Sequence, residues 1–160
     1  MPRASELAAW LVAATLAMVQ TCAPAVPVLA QQAGLTSVAV GETGATVATP
    51  GAASELHQAL ADELGLAAGL RLTPAPSARY VVRGSVTRLV QEPADDDVAV
   101  RCEVSLLVAE ARGGNVRFVL SGRASARGDG RDGNRLARTA LRAAVRGALR
   151  PLGQTLAALR

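Results

Sequence analysis

Three consecutive stretches of the chain alternate apolar and polar residues. In the first, Tyr80, Val82, Gly84, Val86 and Val90 share one face, while Arg83, Ser85, Thr87 and Gln91 share the other. In the second, Val98, Val100, Cys102, Val104, Leu106 and Val108 alternate with Arg101, Glu103 and Ser105. In the third, Val116, Phe118, Leu120, Gly122, Ala124 and Ala126 alternate with Arg117, Ser121, Arg123, Ser125 and Arg127. A period of two with one apolar face predicts an antiparallel sheet buried on one side. The polar segment 92–97 reads as the first connection, and Arg112-Gly113-Gly114 as the second. A three-residue loop there pairs Val108 with Phe118 and Leu106 with Leu120. A two-residue loop would set apolar side chains opposite polar ones.

Helical periods flank these strands. Between Ser54 and Leu64, Leu56, Ala59, Leu60 and Leu64 fall on one face, with Glu55, Asp62 and Glu63 directed to water and Gly65 closing the helix. Thr49-Pro50 opens this element. Upstream, Val38–Val40 and Ala45–Ala48 read as short strands about a turn at Gly41-Glu42-Thr43-Gly44; Leu70–Thr73 reads as another, ended by Pro74 and Pro76. After a Gly- and Asp-rich linker, Asn134 is expected to cap a closing helix over about 134–158. Its apolar arc comprises Leu136, Ala140, Leu141, Ala144, Val145, Ala148, Leu149, Leu152 and Leu156, and Pro151 should kink or split it near Gly147. The expected fold is α+β: an antiparallel three-stranded meander plus short N-terminal strands, with two helices packed on one face. Residues 31–160 are read as one domain.

Residues 1–30 read as a secretory signal peptide. Arg3 supplies a positive start, Leu7–Val19 is apolar, and Pro24 and Pro27 end any helix. Val28-Leu29-Ala30 offers small residues for cleavage after Ala30. The expected location is therefore exported, periplasmic or secreted. Two alternatives stand beside this: lipidation of Cys22, and an uncleaved N-terminal anchor from the uncharged run to Ala30. After cleavage Cys102 is the one remaining cysteine, so no disulfide can form within the chain.

Composition narrows the chemistry. All 17 basic residues are arginine, and the formal net charge is only +4. So small an excess, with Trp10, Tyr80 and Phe118 as the whole aromatic complement, speaks against nucleic acid as a partner. Without lysine there is no phosphate-loop lysine and no Schiff base. One histidine and one mature cysteine cannot form an ordinary zinc site, and no cofactor is expected. Gly41–Thr46 lacks the full spacing of a phosphate-binding loop.

Few candidates for chemistry remain. His57, with Ser54 one turn away, is the obvious acid–base candidate, and its bland reading is a boundary histidine on a helix. Cys102 sits mid-strand on the apolar face, where a cysteine is usually a small core residue. Asp95-Asp96-Asp97 could meet a hard cation but reads as a solvated loop. The stretch 129–134 fails as a calcium loop because Arg131 and Gly133 occupy ligand positions. Arg135, Arg138, Arg142, Arg146 and Arg150, three or four apart, form a stripe beside the apolar arc. That stripe is either a solvated helix edge or a contact for an anionic membrane surface or partner.

The run Tyr80-Val81-Val82-Arg83-Gly84-Ser85-Val86 resembles a strand of certain bacterial envelope proteins. These are the amino-terminal domain of TolB, the curli-secretion lipoprotein and the lipoprotein activators of penicillin-binding proteins. The preceding leucine-spaced helix, the Gly113-Gly114 turn, Gly122-Arg123-Ala124 and the closing Ala140–Ala148 helix follow in the same order. Arg79 departs from the Asp often found before the tyrosine. The resemblance implies a periplasmic binding and assembly adaptor for another envelope protein, with no catalytic residue to carry over. A membrane-surface or anionic-polymer binder acting through the arginine stripe is the alternative. An enzyme using His57 or Cys102 is the third reading. Oligomeric state is left open.

Overall fold

A computed structural model describes residues 34–94 and 97–159. The expected signal peptide, with Cys22 and Trp10, lies outside these residues, as do Asp95 and Asp96. The elements run β1 (Thr36–Ala45), α1 (Ala52–Leu66), β2 (Leu70–Leu72), β3 (Tyr80–Ala94), β4 (Asp97–Glu110), β5 (Val116–Gly128), α2 (Gly133–Leu149) and α3 (Leu152–Ala158). Among the described residues no helix is long and apolar enough to cross a membrane.

The expected meander is present as β3-β4-β5, antiparallel throughout. Val108 pairs with Phe118 and Leu106 with Leu120. The connection is longer than three residues: Glu110 N–H donates to Asn115 O at 2.9 Å across a turn in which Gly113 and Gly114 take positive φ. A register shift beyond Val108 absorbs the difference and keeps the faces aligned.

The N-terminal part differs from the expectation of two short strands about a turn. β1 is one ten-residue strand, and the sheet is five-stranded and mixed, in the order β2-β1-β3-β4-β5. β1 runs parallel to both neighbours. Helix α1 makes this possible, because parallel neighbours need a crossover connection. Thr73 N–H donates to Val38 O and Arg79 N–H to Ser37 O, so the 3-10 turn Ala75–Ser77 carries the chain from one side of β1 to the other. Gly41 is no turn residue. A Cβ there would stand 2.5 Å from Val81 Cγ1 and 3.0 Å from the Arg83 Cγ, so glycine permits β1 to lie close against β3. The register shifts by one residue between Val40 and Thr43.

A second bulge alters the first alternating run. The β3–β4 register shifts between Val86 and Arg88, where Thr87 Oγ1 donates to Glu103 O at 3.2 Å. Beyond it Leu89, paired with Cys102, packs against the core in place of Val90. One extra residue moves the rest of a strand to the opposite face.

Both long helices cover the same sheet face. The expected inward positions of α1 (Leu56, Ala59, Leu60, Leu64) and the whole apolar arc from Leu136 to Leu156 are buried with Tyr80, Val82, Val86, Val100, Cys102, Val104, Leu106 and Val108 in one core. α1 runs past Gly65 to Leu66 and is capped by the extended residue Ala67. α2 begins at Gly133, so Asn134 lies in its first turn and Asp132 takes the capping position. The chain turns at Arg150-Pro151 and α3 follows, with Leu152 and Leu156 buried. The proline, lacking an amide donor, divides the closing helix.

Gly122 sets the approach of α2. A Cβ there would lie 2.0 Å from the Ala144 carbonyl oxygen. The helix backbone therefore rests directly on β5, and the small residues Ala140, Ala144 and Ala148 on its underside suit that close contact.

Candidate functional site

The arginine stripe lies along α2 facing α1. Arg138 Nε stands 3.0 Å from Glu55 Oε1, and Arg142 Nη2 stands 3.4 Å from Asp62 Oδ2. Arg146 grips Glu63 with two prongs, Nη2 to Oε1 at 2.7 Å and Nε to Oε2 at 3.0 Å. Arg135 pairs with Asp132 one turn earlier. Arg150 makes no ion pair among the described residues. The acids of α1, expected to face water, thus face α2. Glu63 is the most enclosed of them, with its side chain 12% exposed. A helix carrying acids at Glu55, Asp62 and Glu63 meets a helix carrying an arginine at each turn from Arg135 to Arg146, and the charges meet above the apolar seam.

The groups considered for catalysis are not brought together. His57 is exposed on α1 and lines a shallow pocket with Val40, Ala61, Leu72, Thr73 and Pro74. Thr73 Oγ1 is buried without a hydrogen-bond partner. Ser54 Oγ donates to Gly51 O at 2.8 Å within the first turn of the helix. Cys102 is 1% exposed inside the core. Burial, reinforced by Glu103, pushes its thiol up to about 11. Asp97 pairs with Arg127 at 3.2 Å, and Asp129 accepts from the Arg131 amide at 2.9 Å. Among the described residues no cluster of His, Cys, Asp and Glu is placed to hold a metal.

Two other regions stand out, and alternation pointed to neither. The first is the pair of sheet edges. β5 is bonded only to β4 among the described strands, and Val116 and Val119 are 54% and 61% exposed on it. At the other side β2 covers only Thr36–Val38, so from Ala39 to Ala45 β1 has a described neighbour on its β3 side alone. The second is a pocket of about 430 Å3 at one end of the sheet, lined by Ser37, Pro76, Ser77, Ala78, Arg79, Glu110 and Arg112. Its residues come from three separate segments. In the sequence Arg79 stood out only as a departure from a motif, and Arg112 only as a loop residue.

A mixed five-stranded sheet with two long helices on one face and open edges defines a class of small α+β domain. Particular solved structures share it. A single-substitution form of PelC from Paraburkholderia phytofirmans, described as a dodecamer, matches with TM-score 0.57 and 22% identity, over 75% of this chain and 90% of that one. A Xanthomonas campestris protein of the DUF330 family matches with TM-score 0.60 and 11% identity, over 81% and 90%. A candidate lipoprotein of Caulobacter crescentus matches with TM-score 0.50 and 20% identity, over 82% and 96%. At these identities the likeness is one of fold. No family model matches the chain, and no curated protein matches it in sequence.

Proposed function

We propose that this chain is an exported bacterial envelope protein that acts as a binding and assembly module for another envelope component, without catalysis of its own. The observation that carries this reading is the pair of unlike open edges on one sheet. A long unpaired strand is a template for strand addition, and unlike edges on one subunit favour head-to-tail contacts that close into rings. The fold shared with PelC, described as a dodecamer, supports looking for self-assembly. The resemblance of residues 80–126 to envelope domains and the apolar start of the chain support the compartment.

The test is crosslinking in the native envelope followed by mass spectrometry. One dominant protein, or the chain itself, linked near β5 or β1 supports the reading. Capture of lipid or polymer alone, with no protein enriched over an unrelated exported domain, overturns it. Val116→Lys with Val119→Lys places charge along the β5 edge. It is expected to lower the assembled mass by light scattering while leaving the circular dichroism unchanged.

The competing reading is docking on an anionic surface through Arg135, Arg138, Arg142, Arg146 and Arg150. The exposure of these guanidiniums favours it, and the ion pairs to Glu55, Asp62 and Glu63 weaken it by neutralising three of the five. Its signature is salt-sensitive binding to anionic liposomes, lost when Arg138, Arg142 and Arg146 become Gln.

A further inference from the structure

Eight arginines form ion pairs with acids among the described residues. Arg79 and Arg112 do not, and both line the same pocket. The one carboxylate there, Glu110, is already engaged. Its Oε1 accepts from Arg117 Nε at 3.0 Å, and its Oε2 accepts from Asn115 Nδ2 at 3.4 Å. These two bonds, with the charges of Arg117 and Arg79, hold the Glu110 carboxyl below the usual carboxylate range, so it stays ionised at neutral pH. Counting Arg79, Arg112 and Arg117 against Glu110 leaves two positive charges in excess around one small cavity.

The remaining donors suit a compact anion. Ser37 is half-buried, and its Oγ accepts from the Arg79 amide at 3.0 Å, which leaves its hydroxyl proton to be donated. Ser77 adds a second hydroxyl on the opposing turn. The Arg79 guanidinium lies over the Tyr80 ring, 5.3 Å from its centroid, so an aromatic face supports one prong of the site. Pro76 and Ala78 supply walls without competing polar groups. The backbone is braced as well: Arg79 O accepts from the Ala111 amide at 2.9 Å, tying the strands that carry the two arginines.

We propose that this pocket binds a phosphate group, held between the Arg79 and Arg112 guanidiniums with Ser37 and Ser77 as hydroxyl donors. A tetrahedral dianion matches the twofold charge excess, and a planar guanidinium presents paired donors to two of its oxygens. The phosphate belongs either to a soluble phosphorylated molecule or to a lipid headgroup; the pocket chemistry is shared.

The site is separate from the sheet edges and from the α1–α2 ion pairs. Failure of phosphate binding therefore leaves the assembly reading standing, and failure of assembly leaves the pocket standing. The test titrates the exported protein with inorganic phosphate at constant ionic strength, followed by amide shifts in nuclear magnetic resonance. Saturable shifts at Ser37, Arg79 and Arg112 are expected. Arg79→Gln and Arg112→Gln should each weaken binding about tenfold, the worth of one charge-assisted bond. Glu110→Gln should tighten it, and Arg150→Gln should leave it unchanged. Unaltered melting profiles keep a loss of binding distinct from a loss of fold. No saturation up to roughly 10 mM phosphate, shifts reproduced by chloride, or wild-type affinity in the Arg79 and Arg112 variants would overturn the proposal. Cosedimentation with vesicles containing phosphatidic acid, whose headgroup is a phosphomonoester, that depends on Arg79 and Arg112 assigns the phosphate to a headgroup. Inorganic phosphate binding without vesicle binding assigns it to a soluble ligand.

Discussion

At the scale of single residues, two glycines on the helix-facing side of the sheet behave differently. Gly122 faces backbone, with the Ala144 carbonyl 2.0 Å from where a Cβ would stand. Gly84 faces the movable ends of Leu56, Leu60 and Leu106, each at 3.1 Å. Overpacking against a rigid neighbour costs more than against side chains that can shift. Gly122→Ala is thus expected to destabilise by about 3 kcal/mol and Gly84→Ala by about 1 kcal/mol or less, read from urea midpoints at constant slope. Equal losses at both positions would contradict this account. Cys102 gives a second residue-scale expectation. Its folded pKa of about 11 lies above the ordinary value of 9.0, so the unfolded chain holds the thiolate more readily. Stability from this group is complete below pH 9 and declines as pH rises toward 11. Wild-type protein should lose stability over that window more steeply than Cys102→Ala. The thiol should resist a disulfide reagent at pH 8 until denaturant is added. Rapid labelling of the folded protein would show that the thiol is reachable.

At the scale of elements, the facing charges of α1 and α2 are the feature most open to experiment. The pairs are exposed, so their worth is small and is screened by salt. Changing Glu55, Asp62 and Glu63 together to Gln should lower the melting temperature in dilute buffer. The gap from wild type should close in 1 M salt, roughly the condition in which screening reaches 3 Å. A gap that persists in salt would mean the acids act through packing. The amphipathic patterns of both helices were plain in the sequence, since every expected apolar position is buried. Partner choice was not plain, because Glu55, Asp62 and Glu63 lie roughly 75–85 residues before the arginines they meet. The strands followed the same rule: alternation identified β3, β4 and β5, but it could not anticipate the bulge at Thr87 that brings Leu89 inward. A bulge answers to the neighbouring strand, and a single strand's pattern carries no record of it.

For the whole molecule, one core joins α1, α2, α3 and the sheet, and Leu152 and Leu156 of the last short helix are 0% and 1% exposed within it. Unfolding should therefore be a single cooperative transition. Tyr80 fluorescence and far-ultraviolet circular dichroism should coincide in urea, and removal of residues 151–160 should shift both midpoints together. Separate transitions would mean that the sheet and the closing helices fold independently. The division between sequence and tertiary structure follows from range. Periods of two and of about 3.6 record which side of each element meets the core, so the chain alone determined the meander, the pairing of Val108 with Phe118, both buried helix faces and the break at Pro151. Only the tertiary structure decided that β1 lies parallel between β2 and β3, because parallel neighbours are joined through a helix and leave no turn signature. Only the folded chain could gather Ser37, the Ser77–Arg79 segment and Arg112 around one cavity. It also occupied Glu110 with Arg117 and Asn115, which is the physical reason those two arginines remain available.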